Sequence, residues 1–163
     1  MKEMRTMEKY TKLQIWMHWI VFILVIFQYV FHEPIVKAFD LRVGGMDYSQ
    51  STLISLHLAF GGLIFLLVSA RIWVRVEQGV PEHPDEHAIL INLISKAVHW
   101  SFYGVLLLLP ITGGFAWFQL SVSAGNVHET LRGILILLVS VHVSASLFHF
   151  FISKYNLFKR MWW

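Results

Sequence analysis

The chain contains no cysteine. That excludes disulfides, iron–sulfur clusters and covalent haem attachment through a Cys-x-x-Cys-His motif. Charge is scarce as well. Charged residues make up 14% of the chain, against about 25% in soluble domains. Internal repeats and low-complexity tracts are absent, and the longest gap between apolar runs, residues 32–51, leaves no room for a separate soluble domain.

What is present is hydrocarbon. Hydrophobic residues make up 56% of the chain and the mean hydropathy is +0.60. Four apolar runs cover approximately residues 13–31, 52–76, 89–118 and 128–152. Each reaches the ~19–20 residues that cross a ~30 Å hydrocarbon core at ~1.5 Å per residue. The first run exceeds the roughly 7–15 residues of a signal-peptide core. The "HEPIVKAF" that follows offers no cleavage site, so the helix is expected to be retained. The expected fold is an all-α membrane protein, one domain over residues 1–163 built as a bundle of four transmembrane helices.

Lysine and arginine orient the bundle. Lys2, Arg5, Lys9 and Lys12 precede helix 1, Arg71, Arg75 and Lys96 lie around the helix 2–3 connection, and Lys154, Lys159 and Arg160 end the chain. These fall on one side of a four-helix chain. Only Lys37, Arg42 and Arg132 fall on the other. Both termini are therefore expected in the cytoplasm. The net charge of +3 follows from this asymmetry and carries no nucleic-acid signal. Trp16, Trp19, Trp73, Trp117, Tyr155, Trp162 and Trp163 sit near the predicted helix ends, where interfacial aromatics belong.

Three connections remain. The outer segment "HEPIVKAFDLRVGGMDYSQ" carries the turn residues Pro34, Gly44 and Gly45, and is the one segment long enough for a surface lid. The inner loop "VEQGVPEHPDEHA" contains Pro81 and Pro84, with Asp85 and Glu86 placed for a helix start. Its His83 and His87 read as solvated loop residues. The outer loop "QLSVSAGNV" is short and uncharged.

Histidines supply the chemistry. Ionisable groups at membrane depth are costly and mark function. Six histidines lie in or beside the helices: His18, His57, His99, His128, His142 and His149. His128 and His142 are 14 residues apart, about four helical turns and ~21 Å, so they share a face. His149 is two turns further on. Two metal centres stacked across a bilayer require this spacing, whereas one metal site requires converging ligands. His57 enters ~8 Å below the outer surface and pairs by depth with His128. His18, His99, His142 and His149 share the inner half, and depth does not choose among them. Gly61, Gly62, Gly104, Gly113 and Gly133 offer bare backbone for a planar cofactor or for close helix packing.

The stretches "KYTKLQIWMHW", "SLHLAFGGLIFLLVSARIWVR", "AVHWSFYGVLLLLPITG" and "HETLRGILILLVSVHVSASLFHF" with "NLFKRM" resemble the bacterial di-haem cytochrome b561 family. The similarity is greatest to its small four-helix, superoxide oxidase-type members. It covers nearly the whole chain. It implies two haem b groups in the inner membrane, the outer held by His57 and His128, the inner by His18 and His142. His99 and His149 remain near the inner side for a quinone head group or its protons. Arg71 and Arg75 become candidates for inner haem propionates. Arg132 becomes a candidate for an outer propionate or an anion. The implied activity is electron transfer across the membrane to or from ubiquinone, with superoxide as a donor oxidised to dioxygen. Arg42, Lys37 or Arg132 would attract that anion. The family's superoxide oxidases have a longer loop between helices 3 and 4, a departure that bears on the donor and not on the di-haem core. A second expectation is an electron-transfer anchor for a partner dehydrogenase or hydrogenase. A third, from another class, is a histidine-lined ion transporter.

Overall fold

Local rules account for where the helices begin and end. The structure, a computed structural model, describes residues 10–79, 89–151 and 160–162, the side chains of 89–92 and 149 lying outside that description. The described elements are α1 (Lys12–Val30), α2 (Glu33–Val43), α3 (Thr52–Gln78), α4 (Ile89–Gln119) and α5 (Val122–Phe151). Thr11 and Gln14 form a capping box at the start of α1, each side chain accepting from the other's backbone N–H. Ser51 caps α3 through Ile54 N, and Ser121 caps α5 through Ala124 N. Gly79 closes α3 at φ 70°, a conformation that glycine adopts without steric cost.

Four of these helices, α1, α3, α4 and α5, are long and apolar enough to cross a membrane. Their outward faces fit that solvent: Ile23, Leu66, Leu137 and Phe118 are each more than 60% exposed. In hydrocarbon such side chains lose nothing by facing out, and helices associate instead through packing and a few polar contacts. α4 runs between α3 and α5, and α1 lies on α3. The inner half is packed around Val21, Leu24, Ile64, Val68 and Tyr103. At the inner end Gln14 Nε2 donates to Gly79 O, tying the start of α1 to the end of α3. Trp19 Nε1 donates to Met161 O, which brings the 160–162 segment against α1.

The structure corrects the sequence reading at three places. Helix α5 starts at Val122 and not near His128, so the expected outer loop shrinks to Leu120 and Ser121. Leu120 reaches φ 51° to make this turn, a left-handed conformation that costs a non-glycine residue about 1–2 kcal/mol. Next, the expected lid segment contains a helix of its own, α2. Glu33 and Pro34 open it and Arg42 closes it, as the helix dipole favours. Lastly, Trp117 is no interfacial anchor. It is buried under α2 with Ala38 and Ile54. Arg42 donates to its carbonyl at 2.7 Å and stacks over its ring at 4.3 Å. Lys2, Arg5, Lys9, Pro81, His83, Pro84, Asp85, Glu86, His87, Lys154, Tyr155, Lys159 and Trp163 lie outside the described residues.

Candidate functional site

At the outer end all five helices surround a cavity of about 610 Å³. That volume lies inside the range of about 300–1,000 Å³ typical of sites that enclose an organic ligand. His57 from α3 and His128 from α5 both line it and lie within electrostatic range of each other. These are the two residues that depth paired in the sequence. The walls are otherwise mostly apolar, as a hydrophobic macrocycle requires.

The His128 ring is held in one tautomer. Its Nδ1 lies 2.9 Å from Leu109 O, and a carbonyl can only accept, so Nδ1 carries the proton and Nε2 keeps its lone pair. A cofactor ligand needs that state. The ring is accommodated by Gly113 on α4, where a Cβ would stand 3.0 Å from His128 Cε1 and Nδ1. Of the glycines singled out from the sequence, Gly61, Gly62 and Gly113 line the cavity, whereas Gly104 and Gly133 are not among its lining residues.

The remaining helices fix the width of the cavity. α1 contributes no paired histidine there, yet its neighbours Gln28 and Tyr29 reach to both sides. Gln28 Nε2 donates to His57 O at 2.9 Å, and the Tyr29 hydroxyl donates to Arg132 O at 2.5 Å. So α1 braces α3 and α5, the two helices that carry the histidines. α2 covers the outer side. Its Phe39 ring lies against Gly125, where a Cβ would stand 3.2 Å from Phe39 Cε1.

Of the three outer cations expected to attract an anion, two are already engaged. Lys37 pairs with Glu33 at 2.6 Å, and Arg42 is spent on Trp117 and on Tyr48, whose ring lies 5.7 Å from its guanidinium carbon. Arg132 lines the cavity and has only a loose contact with Glu129, 3.8 Å apart.

The inner end is built differently. His18 lies within electrostatic range of Arg71, His142 and His99. The His99 and His142 rings meet edge to face, centroids 5.8 Å apart, and Phe102 meets His142 at 5.5 Å. His99 Nδ1 is bonded to Ser95 O at 2.6 Å. A cleft of about 20 Å³ beside them is lined by Tyr10, Gln14, Arg71, Arg75, His99 and Tyr103, among others. Arg75 lies over the Tyr103 ring at 5.9 Å. Arg71 is half-buried, and its Nη1 has no hydrogen-bond partner among the described residues. His142 thus has two histidine neighbours, His18 and His99, and the geometry does not choose between them. The side chain of His149 lies outside the described residues.

Reading the sequence missed His32, Gln28 and Tyr29. His32 lines the outer cavity, with Nδ1 bonded to Tyr29 O at 2.8 Å, and lies within electrostatic range of His57. Its depth, just past the outer end of helix 1, was the available signal. Among the described residues no three histidine, aspartate or glutamate side chains converge as a protein-only metal site requires. A haem iron asks for two.

Comparison with known proteins agrees in kind. A family model described as prokaryotic cytochrome b561 matches residues 9–163. The chain is 30% identical to cytochrome b562 of Cereibacter sphaeroides, over 93% of this chain and 94% of that protein. It is 25% identical to the probable superoxide oxidase CybB of Yersinia pestis, over 94% and 96% of the two chains. It is likewise 25% identical to cytochrome b561 homolog 1 of Escherichia coli K12, over 95% and 97%.

Proposed function

This chain belongs to the prokaryotic cytochrome b561 family, and we propose on that premise that it is a di-haem carrier moving electrons between an outer donor and ubiquinone near the inner face. The family and the four apolar helices make it a haem b electron-transfer protein of the bacterial inner membrane. The number of haems, the quinone and the donor are our reading. The observation that carries it is the outer cavity, with two facing histidines, bare glycine backbone and one loosely held arginine.

The residues that line the outer cavity fit the cofactor. Bound haem b would supply a one-electron iron couple. His57 and His128 would hold the outer group, His18 and His142 the inner one. Leu109 O keeps the His128 Nε2 lone pair available. Gln28 and Tyr29 tie α1 to α3 and α5, and α2 lines the outer side of the cavity. Arg132 offers positive charge at the cavity, and its attraction for an anionic donor falls as salt rises. At the inner end His99, beside His142, and His149, two turns beyond it, are the groups we assign to the quinone head or its protons. Arg71 and Arg75 are the partners for propionate carboxylates.

Superoxide is the donor we favour, because Arg132 faces the cavity with only a loose partner and one relative bears the name probable superoxide oxidase. The test is a reduced-minus-oxidised spectrum and pyridine haemochrome assay of the purified protein, followed by superoxide-driven quinone reduction. Two haems per chain and quinone reduction without a partner protein support the reading. A colourless protein overturns it and reopens the ion-transporter alternative. Two haems with no superoxide-driven turnover would leave the carrier and transfer the donor's role to a partner dehydrogenase or hydrogenase.

A further inference from the structure

Three histidine rings in this bundle have their Nδ1 atoms bonded to backbone carbonyls. His128 uses Leu109 O, His99 uses Ser95 O and His32 uses Tyr29 O. His57 differs. Its Nδ1 is buried and has no hydrogen-bond partner among the described residues. A buried polar atom left so costs about 1–3 kcal/mol, and native structures rarely leave one.

A second buried atom without a partner lies on the side chain already bonded to His57. Gln28 Nε2 donates to the backbone carbonyl of His57 at 2.9 Å, while Gln28 Oε1 is buried with nothing to accept. The bond to a carbonyl fixes which end of the amide is which, since only the NH₂ can donate. What remains is a pure acceptor without a donor, on the side chain bonded to His57, and a ring nitrogen of His57 without an acceptor. Gln28 rests on the bare backbone of Gly61, one turn beyond His57, where a Cβ would stand 3.6 Å from its Nε2. A side chain longer than alanine there would displace the amide.

We propose that Gln28 is the positioning residue of His57: its Oε1 accepts the His57 Nδ1–H through one buried water, while its NH₂ holds the carbonyl of the same residue. The inference rests on the reading of His57 as an outer haem ligand. One side chain then fixes the backbone, the tautomer and the ring of that ligand. An acceptor on Nδ1 makes the imidazole a stronger donor through Nε2. A stronger donor stabilises ferric over ferrous iron, so Gln28 sets the outer potential low.

The test is a redox titration with optical and electron paramagnetic resonance detection on the full chain, comparing Gln28→Leu and Gln28→Glu. The outer centre is identified as the one missing from His57→Ala. Leucine removes the acceptor, so the outer potential should rise. Glutamate is a stronger acceptor, so it should fall. The lowest-field g value of the outer ferric signal, which responds to ligand strength and ring orientation, should move in both variants. The inner centre should titrate unchanged, serving as the control for folding. An outer centre that titrates as in the parent, or shifts in the same direction in both variants, would overturn the proposal. If leucine loses the outer haem outright, glutamate decides. It keeps an acceptor and gives up the amide donor, so haem recovery at a lowered potential supports the proposal and no recovery overturns it. If His57→Ala itself keeps both haems, the ligand reading fails, separately from any result at Gln28.

Discussion

At the outer end five helices enclose about 610 Å³, and at the inner end the histidines crowd ring against ring beside a cleft of about 20 Å³. Several outer side chains are committed across helices. His128 is bonded to Leu109, Tyr29 to Arg132 and Arg42 to Trp117. The inner ones keep alternatives: His142 faces both His18 and His99, and two arginines share the cleft. The difference teaches where each site gets its order. The outer end is shaped by contacts that the helices make with one another. The inner cleft gathers two arginines, Arg71 and Arg75, beside the histidines, as the proposed meeting with propionates and a quinone would require.

Removing ligands is the strongest way to break that comparison. His57→Ala or His128→Ala should cost one haem per chain and leave the other, read by haemochrome stoichiometry. At the inner end His142→Ala and His18→Ala should each remove the second haem, while His99→Ala should keep it and slow quinone reduction. Retention of the inner haem in His18→Ala with loss in His99→Ala would exchange the roles of those two residues.

A smaller effect is expected from Gly113→Ala. Its Cβ would stand 3.0 Å from the His128 ring, tighter than ordinary contact, and would turn the ring or push α4 away from α5. Changes that disturb the support of a ligand lower metal affinity about 10–100-fold. Haem titration into the apoprotein should show that loss at the outer centre alone.

How much of this was legible in the sequence depends on the range of the interaction. The four spans were legible because hydropathy and length act locally. The stacking of His128 over His142 was legible because helical period is also local. α2 was missed although Glu33, Pro34 and Arg42 mark its ends, because Pro34 and the Gly44–Gly45 pair also read as turns. The start of α5 was missed because "SVSAGN" is small and polar, and only the Ser121 cap reveals the helix. Trp117 was misread because an aromatic near a helix end fits the interface and a buried contact equally well. Nothing local predicts that Arg42 will cover it. The partners of Gln28 and Tyr29 are likewise set by helices that meet only in the folded bundle.

Arg42 tests whether the outer order depends on that cover. Arg42→Met removes a charged hydrogen bond, worth about 1.5–3 kcal/mol, and a cation–π contact, worth about 0.5–2 kcal/mol. With some compensation by the methionine stem, a net loss of about 2–3 kcal/mol at α2 is expected. The outer haem should then be released at a lower temperature than in the parent, with the inner haem unaffected. Equal release of both would show that α2 supports the whole bundle.

The smallest effect should come from the other α2 cation. Lys37 and Glu33 are 2.6 Å apart and about 70% exposed, so water screens the pair. The hydrogen bond from Lys37, and then its charge, hold the Glu33 carboxyl below its ordinary value of 4.5. A carboxyl depressed on folding supports the fold above that ordinary value, and the support fades as pH falls through the folded-state pKa. Lys37→Gln should therefore leave outer haem release unchanged at neutral pH and leave the rate with an anionic donor nearly unchanged. Arg132→Gln should lower that rate and flatten its salt dependence. If Lys37→Gln slows the donor as much as Arg132→Gln, the anion is drawn by the whole outer surface, and the cavity arginine has no special part in its capture.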